Sequence, residues 1–517
     1  MSAENLSTFD EFIRHWAAER PATIALREGD RVQSYAALEE NSARICGGLA
    51  ALGLRKGDRV AYLGKNSELY FTLFFAAARM GVVMVPVGWR LAPPEWAYII
   101  NDTQAQILFL GDGFDDAPTA LSGQVPGVRH VMTADATRAW MTTSPRGDFL
   151  GAGRDDAVLQ LYTSGTTGNP KGAVLSNWNL FGLRRVVADA QLPYQQWDDD
   201  EAVLVAMPCA HIGGTGLGVM ALSAGLPGVI LPEFTPDAVF DAVEKGGVTR
   251  FFIVPAALHM LLMHPRCRTV DYSRLKYVIY GAAPIPLELL REAVQVFGAQ
   301  FMQAYGMTET TGTICMLPPE DHDPNGNPRM RSAGKPLPGV ELKIVGDQGE
   351  TLDVGEVGEV WTRSSNNMLG YWNLPDATKR TMTDDGWIAT GDAGYLDDDG
   401  YLYIHDRVKD MIITGGENVY PAEVESAIFG HPQVQEVAVI GVPDAKWGEA
   451  VKAVCVPKPG VTIDPDSVIN WAREKVAGFK VPKSVDVIAA LPRNPSGKIL
   501  RRELRAPYWE GMERQVN

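Results

Sequence analysis

The chain has 517 residues, 46% of them hydrophobic and 21% charged, and a formal net charge of −16. That length exceeds what one hydrophobic core supports, so two or more domains are expected, and the composition is that of a soluble globular protein. So acidic a chain excludes nucleic acid as the expected partner, and five scattered cysteines without a CxxC pair predict reduced thiols, a cytoplasmic setting and no structural zinc.

The first ten residues are polar and carry no apolar signal core. An amphipathic helix is predicted from Phe9 to Arg20, stopped by Pro21. Thr23–Arg27 and Arg31–Ser34 alternate like a hairpin around Glu28-Gly29-Asp30. Tyr35–Leu52 has helical spacing with Gly53 closing it, Arg59–Leu63 reads as a strand, and Ser67–Met80 as a helix capped by Ser67 or Asn66. Val82–Val87 is again a strand. The most apolar run, Leu69–Val87, is interrupted by Arg79 and Gly81 and ends at Pro86. It predicts a buried helix followed by a strand rather than a membrane span, with at most peripheral membrane contact. The strand–helix–strand alternation argues for a parallel, helix-covered sheet.

A strand at Ala157–Leu161 then leads into Tyr162-Thr163-Ser164-Gly165-Thr166-Thr167-Gly168-Asn169-Pro170-Lys171-Gly172. Glycines let this backbone approach a ligand closely, and successive N–H groups, hydroxyls and the Lys171 ammonium can converge on an anion, phosphate above all. The spacing is not that of the G-x-x-x-x-G-K-[ST] loop, because Gly165 and Gly168 are three apart and Lys171 follows a proline. Ala173–Ser176 follows, and a helix can start at Asn177.

A strand at Ala202–Met207 runs into Pro208-Cys209-Ala210-His211-Ile212-Gly213-Gly214, while His259 and His264, in an apolar stretch without acidic or cysteine company, are expected to be packing residues. Tyr277–Tyr280 ends in Gly281-Ala282-Ala283-Pro284, and Phe301–Ala304 ends in Tyr305-Gly306-Met307-Thr308-Glu309-Thr310. Both turns stand where an open α/β sheet presents its carboxyl ends to ligands. Tyr305 offers a flat face for a purine, and Glu309, the only acid between Phe301 and Pro319, can hold a hard cation against phosphates. After Gly339 short strands and glycine turns predict a small β subdomain: Glu341–Val345, Glu359–Arg363, and a hairpin from Tyr395 to Ile404 preceded by Thr390-Gly391-Asp392. Asp397–Asp399 reads as a solvated turn. Asp406-Arg407-Val408-Lys409-Asp410 is the expected domain boundary. Beyond it lie strands at Met411–Thr414, Val434–Val442 and Ala450–Pro457, and helices at Pro421–Phe429 and Ser467–Glu474.

These motifs, in this order from Tyr162 to Lys498 and across essentially the whole chain, resemble the adenylate-forming superfamily of acyl- and aryl-CoA synthetases, peptide-synthetase adenylation domains and luciferases. The resemblance implies an α/β fold: a large N-terminal domain of helix-covered sheets (1–407, with the β subdomain at about 335–405), a hinge at 408–410, and a small mobile α+β C-terminal domain (411–517). It assigns Thr163, Ser164, Gly165, Thr166, Thr167, Gly168 and Lys171 to the phosphates of ATP. Gly281, Ala282, Ala283, Tyr305, Gly306 and Thr308 go to the nucleotide crevice, Asp392, in the implied turn Thr390-Gly391-Asp392, and Arg407 go to the ribose, and Glu309 to Mg2+. His211 falls at the junction of the acyl pocket and the pantetheine channel, with Ala210 where relatives carry an aromatic residue; Gly88 stands where they carry asparagine. Lys409 is the implied hinge residue, the loop Gly415–Pro421, with Gly415 and Gly416, lines the thiol channel together with Trp447, and Lys498 is the catalytic lysine of a mobile loop.

The implied reaction is ATP-dependent activation of a carboxylic acid as an acyl-adenylate, followed by transfer to coenzyme A with release of AMP. No insertion of the kind found in fatty acyl-AMP ligases is evident before Lys409, so coenzyme A is the expected thiol. The absence of an acid between Pro208 and Gly214 argues against an amino acid substrate. Ala210, Gly213, Gly214, Gly216 and Gly218 suggest a roomy apolar pocket and a medium- or long-chain fatty acid. An aryl or steroid-side-chain acid is the alternative, and a catalytically idle nucleotide-binding paralogue the remote one. A homodimer is left open.

Overall fold

The computed structural model describes residues 5–147, 151–163, 169–407, 410–494 and 497–510. The apolar run that opens the chain's first αβ unit shows how the core is built. Helix Glu68–Met80 starts on the Ser67 hydroxyl, which accepts the Tyr70 N–H, and ends at Gly81 with φ +69°. It is buried on every side between helices Phe9–Glu19 and Tyr35–Ala51 and the strands behind it. Arg79, 1% exposed, survives there because its guanidinium donates to Asp10 Oδ1 at 2.7 Å, Ser42 Oγ at 2.8 Å and Glu39 Oε1 at 3.1 Å. Removing one partner of such a buried pair costs about 3–5 kcal/mol. No helix among the described residues is long and apolar enough to cross a membrane.

The described residues form four sheets. A seven-stranded sheet places Arg59–Leu63 and Val83–Val87 side by side in parallel and adds Ala157–Thr163 next to them. Ala157–Thr163 then pairs antiparallel with Lys171–Ser176, Thr163 opposite Lys171. A nine-stranded sheet aligns Val203–Val205, Arg250–Ile253, Tyr277–Gly281 and Gln300–Met307 in parallel. A four-stranded antiparallel sheet spans Glu341–Arg407. Its chain leaves once, so that Gly370–Tyr371 can pair with Lys171–Ser176 as the edge of the seven-stranded sheet. The C-terminal sheet has five strands, dominated by Val434–Asp444 against Gly448–Pro457, with helices Pro421–Phe429 and Pro465–Arg473 over its core. The large and small domains expected from sequence are therefore present.

Several local expectations need correction. The strand predicted at Ala202–Met207 is only Val203–Val205. Thr390-Gly391-Asp392 is not a turn: it lies inside strand Ile388–Leu396, where Gly391 takes φ +72°. The Gly415–Pro421 stretch is not merely a loop, since Ile412–Thr414 and Glu417–Val419 form a hairpin closed by Gly415 and Gly416. Lys335–Pro336, at the expected start of the β subdomain, pairs instead with Gly312–Leu317 in the nine-stranded sheet.

Candidate functional site

A cleft of about 2770 Å³ opens where the parallel strands of the large domain end and the small domain closes over them. That exceeds the ~300–1,000 Å³ of a single small-molecule pocket, so there is room for more than one small ligand. Thr163, Lys171, His211, Ala282, Ala283, Gly306, Thr308, Glu309, Arg407 and Lys498 all line it.

Backbone crowding explains two of its glycines. A Cβ on Gly281 would lie 2.0 Å from the Ala304 carbonyl oxygen, and one on Gly306 would lie 1.7 Å from that of Gly312. The chain can therefore cross itself at the two strand ends only with glycine there. Ala282, next in line, takes φ +66°, and Thr311, which closes the turn Thr308–Thr310, takes φ +55°. Left-handed non-glycine residues of this kind cluster where a site dictates the backbone.

Glu309 is buried, 5% exposed, on the short 3₁₀ turn Thr308–Thr310. Its Oε1 accepts the Tyr371 hydroxyl at 2.7 Å and the Thr163 hydroxyl at 3.4 Å. Tyr371 reaches it because Gly370–Tyr371 is the edge strand beside Lys171–Ser176, and the Lys171 ammonium lies 4.2 Å from the Tyr371 ring centroid. Burial and the facing Glu309 push the Tyr371 phenol well up, so it stays a donor. A single carboxylate in such a place suits Mg2+, which is commonly held by one or two protein carboxylates plus phosphate oxygens and waters. The described residues contain no cluster of three or more acid, histidine or cysteine ligands. Any such ion would therefore depend on the substrate's phosphates.

Asp392 and Arg407 face each other across adjacent strands. Arg407 Nε lies 2.9 Å from Asp392 Oδ1, and its Nη1 donates to the Thr390 carbonyl at 2.8 Å. The second Asp392 oxygen accepts the Tyr305 hydroxyl at 2.7 Å. Burial opposes the Arg407 charge, yet Asp392, Tyr305, Glu309 and Asp410 hold the guanidinium above its ordinary range. Each carboxylate oxygen keeps lone-pair capacity for a vicinal hydroxyl.

Lys498 enters the same cleft from the small domain. Its N–H donates to Asn494 Oδ1 at 2.8 Å, and the Arg493 guanidinium donates to the Gly497 carbonyl at 2.7 Å, closing a hairpin that carries the lysine. Burial pushes its ammonium down to about 8; Arg407 and Arg501 act in the same direction, and Asp392 and Asp406 oppose them.

His211 is the N-cap residue of helix Ile212–Ser223 and is held neutral, burial pushing its imidazole down to about 4. Beside it, a Cβ on Gly88 would lie 4.0 Å from the Ala210 Cβ, so the two small residues face each other on one wall. The expected set of pocket glycines is only half right. Gly213 and Gly216 line the cleft. Gly214 does not, since a Cβ there would meet the Met207 carbonyl at 2.4 Å, nor does Gly218, whose Cβ would meet the Phe71 ring at 2.3 Å. Both are close-packing positions on the opposite face of the helix. His259 packs on Phe429 of the small domain at 5.8 Å, and His264 stands 5.5 Å from the Phe240 ring and, unlike the sequence expectation of no acidic company, 3.7 Å from Asp237.

The remaining candidates lie elsewhere. Gly415, Gly416 and Trp447 are not on the cleft: Trp447 is 42% exposed, its carbonyl accepting the Gly415 N–H at 2.8 Å. Ser164, Gly165, Thr166, Thr167, Gly168 and Lys409 lie outside the described residues. Sequence reasoning missed Tyr371; its signal was the aromatic pair Tyr371-Trp372 just after Gly370.

Known proteins are similar to this chain over almost its whole length. The AMP-binding enzyme family matches residues 13–372, and its C-terminal domain matches residues 423–498. The fatty acid–[acyl-carrier-protein] ligase ScoC of Streptomyces coeruleorubidus is 41% identical over 99% of this chain and 98% of its own. The feruloyl-CoA synthase of an Amycolatopsis species is 39% identical over 94% and 96%. ATP-bound MatB from Rhodopseudomonas palustris, 32% identical, superposes over 97% of this chain and 99% of that one with a TM-score of 0.87, whereas its apo form gives 0.78. The chain thus belongs to the AMP-binding enzyme family of the adenylate-forming superfamily and is an AMP-forming ligase that joins a carboxylic acid to a thiol.

Proposed function

We propose that the protein activates a medium- or long-chain fatty acid and transfers it to coenzyme A. The observation that carries this reading is the meeting of Lys498, Glu309 and Arg407 on one cleft, with Asp392 directly behind, ion-paired to Arg407. A carboxylate attacking the α-phosphate of ATP brings anion to anion, so the first half-reaction needs cations placed beforehand. Lys498 sits between the two, and its ammonium offsets the charge that builds up as pyrophosphate leaves. Thr163 and Lys171 hold the outer phosphates together with Ser164, Gly165, Thr166, Thr167 and Gly168. Tyr305 flanks the adenine, Gly281, Ala282, Ala283, Gly306 and Thr308 shape the crevice, and Asp392 and Arg407 hold the ribose hydroxyls. Glu309 is the residue that would hold Mg2+, which when bound supplies charge neutralisation on the phosphates.

In the second half-reaction the thiol displaces AMP from the acyl-adenylate. Lys498 then has to leave and a channel past His211 has to open, which a rotation of the small domain at 408–410, with Lys409 as hinge, would achieve while bringing Gly415, Gly416 and Trp447 to the cleft. The better superposition on the ATP-bound than on the apo form of MatB supports reading the described orientation as the adenylating one.

The apolar wall of Met207, Ile212, Gly216, Leu217 and Phe252 supports a fatty acid, and the facing Gly88 and Ala210 widen its mouth. The name of the 41% identical relative favours a second reading for the acceptor, a carrier-protein thiol in place of coenzyme A. The test is AMP release with a panel of fatty and aryl acids, each assayed with coenzyme A and with a pantetheinylated carrier protein. Turnover confined to aryl acids overturns the fatty-acid reading, and turnover with the carrier protein alone overturns coenzyme A.

A further inference from the structure

Helix Pro421–Phe429 begins the small domain's helical layer, and its own sequence leaves its first turn incomplete. Its N-cap residue, Tyr420, makes no side-chain cap, and Pro421 has no N–H to give. The first donor in need of a partner is the Ala422 N–H. It finds one in a different domain: Oδ2 of Asp406, at 3.1 Å. Asp406 belongs to strand Leu402–Arg407 and pairs with Ala393, inside the four-stranded sheet of the large domain. Its other oxygen, Oδ1, accepts the Arg407 N–H at 2.8 Å and faces Arg501 at 3.7 Å. Arg501, three residues beyond Lys498, is itself clamped to Glu425 of the same helix, with Nη2 2.8 Å from both carboxylate oxygens. Next to this contact the His405 ring stacks on Tyr420 at 4.4 Å with 16° between planes. At 5% exposure the Asp406 carboxylate is shut off from water.

We propose that Asp406 is a positioning residue for the adenylation half-reaction, holding the small domain over the cleft by capping helix Pro421–Phe429 across the domain boundary. This rests on the two-orientation reading above. A rotation at 408–410 leaves Asp406 with the large domain and carries Ala422 and Arg501 away with Lys498, so the cap exists in one orientation only. A carboxylate at a helix start also meets the positive end of the helix dipole. Loss of a side-chain cap shifts an equilibrium by about two- to thirtyfold, and the orientation that delivers Lys498 should weaken by that factor.

The test uses the full-length enzyme and its Asp406→Ala and Asp406→Asn variants. Adenylation is read as acid-dependent ATP–pyrophosphate exchange with dodecanoate, or with whichever panel acid the wild type activates fastest. Thioester formation is read from the corresponding synthetic acyl-adenylate plus coenzyme A, and domain orientation from energy transfer between dyes on the two domains with ATP bound. Asp406→Ala should slow exchange two- to thirtyfold, leave thioester formation unchanged or faster, and shift energy transfer away from the wild-type value. Asp406→Asn keeps one acceptor for the Ala422 N–H but turns its NH2 toward the Arg407 N–H and Arg501, so its exchange rate should lie between those of the wild type and the alanine variant. Equal losses in both half-reactions, or unchanged energy transfer in the alanine variant, overturn the proposal. A wild type silent in exchange with every acid overturns the ligase reading instead, and energy transfer then still decides the latch.

Discussion

The small domain carries two sets of motif residues, and they meet very different surroundings. Lys498 reaches the cleft from one arm of a hairpin, paired with Asn494, within the fields of Arg407, Asp392 and Asp406. Gly415, Gly416 and Trp447 form another corner of the same domain, and there the indole is 42% exposed, with Gly415 close against one edge and the Lys446 ammonium over its ring at 4.4 Å. In the orientation described, only the first corner reaches the cleft. Under the proposed rotation at 408–410 the chemistry is divided between orientations, and a residue's distance from the cleft in one of them is then no argument against its role in the other.

The hardest way to break this comparison is to remove the buried corner. Lys498→Ala should lower acid-dependent ATP–pyrophosphate exchange by about 10²–10³, the usual cost of one preorganised charge-stabilising donor. Thioester formation from a supplied acyl-adenylate should survive. A folded variant in which both half-reactions fall together would show that the lysine serves more than one orientation.

The pocket offers the next test. Gly216→Trp places its Cβ 3.4 Å from Ile212 Cδ1, an ordinary contact, and then fills the cleft. Each methylene shut out should cost about 0.8 kcal/mol, or about fourfold in kcat/KM, for long acids but not for short ones. Gly214→Trp should instead destabilise the fold, because its Cβ collides with backbone. Equal losses for short and long acids in Gly216→Trp would move the acyl chain to another wall. On the exposed corner, Trp447→Ala should slow thioester formation about tenfold, as loss of one aromatic anchor does, with exchange unchanged.

The contrast between Gly214 and Gly216 also marks how far the sequence could be read. The strands that end in Gly281 and around Tyr305 are contiguous apolar stretches closed by glycine turns, and they were legible as strands. Which face of helix Ile212–Ser223 meets the cleft was not, because its phase is set by Phe71 and the Met207 carbonyl, far away in the chain or outside the helix. The Tyr371–Glu309 bond, joining positions 62 apart, and the Asp406 cap on Ala422 depend in the same way on packing between elements. Thr390–Asp392 read as a turn because a glycine sits between polar residues, but the sheet kept the strand going through Gly391.

The smallest effect sharpens the comparison most cheaply. Burial lowers the Lys498 pKa to about 8, with Arg407 and Arg501 pushing the same way and Asp392 and Asp406 opposing. A lowered lysine pKa means the cation is present below that pH and lost above it. The kcat/KM for adenylation, which reports groups of the free enzyme, should therefore be half its plateau near pH 8 and fall about tenfold per unit beyond. A lysine at its ordinary ~10.4 would hold the plateau two units further. Thioester formation from supplied adenylate does not use this cation, and its thiol, with a pKa near ~8.5 by analogy with cysteine, should make that rate rise over the same range. The two half-reactions should thus diverge between pH 7 and 9.5. Lys498→Arg, charged throughout, should remove the falling limb even if it lowers the plateau. An adenylation rate that stays flat to pH 9.5 in the wild type would show that the lysine is not held in the buried environment described, and would return it to the same solvated standing as the Trp447 corner.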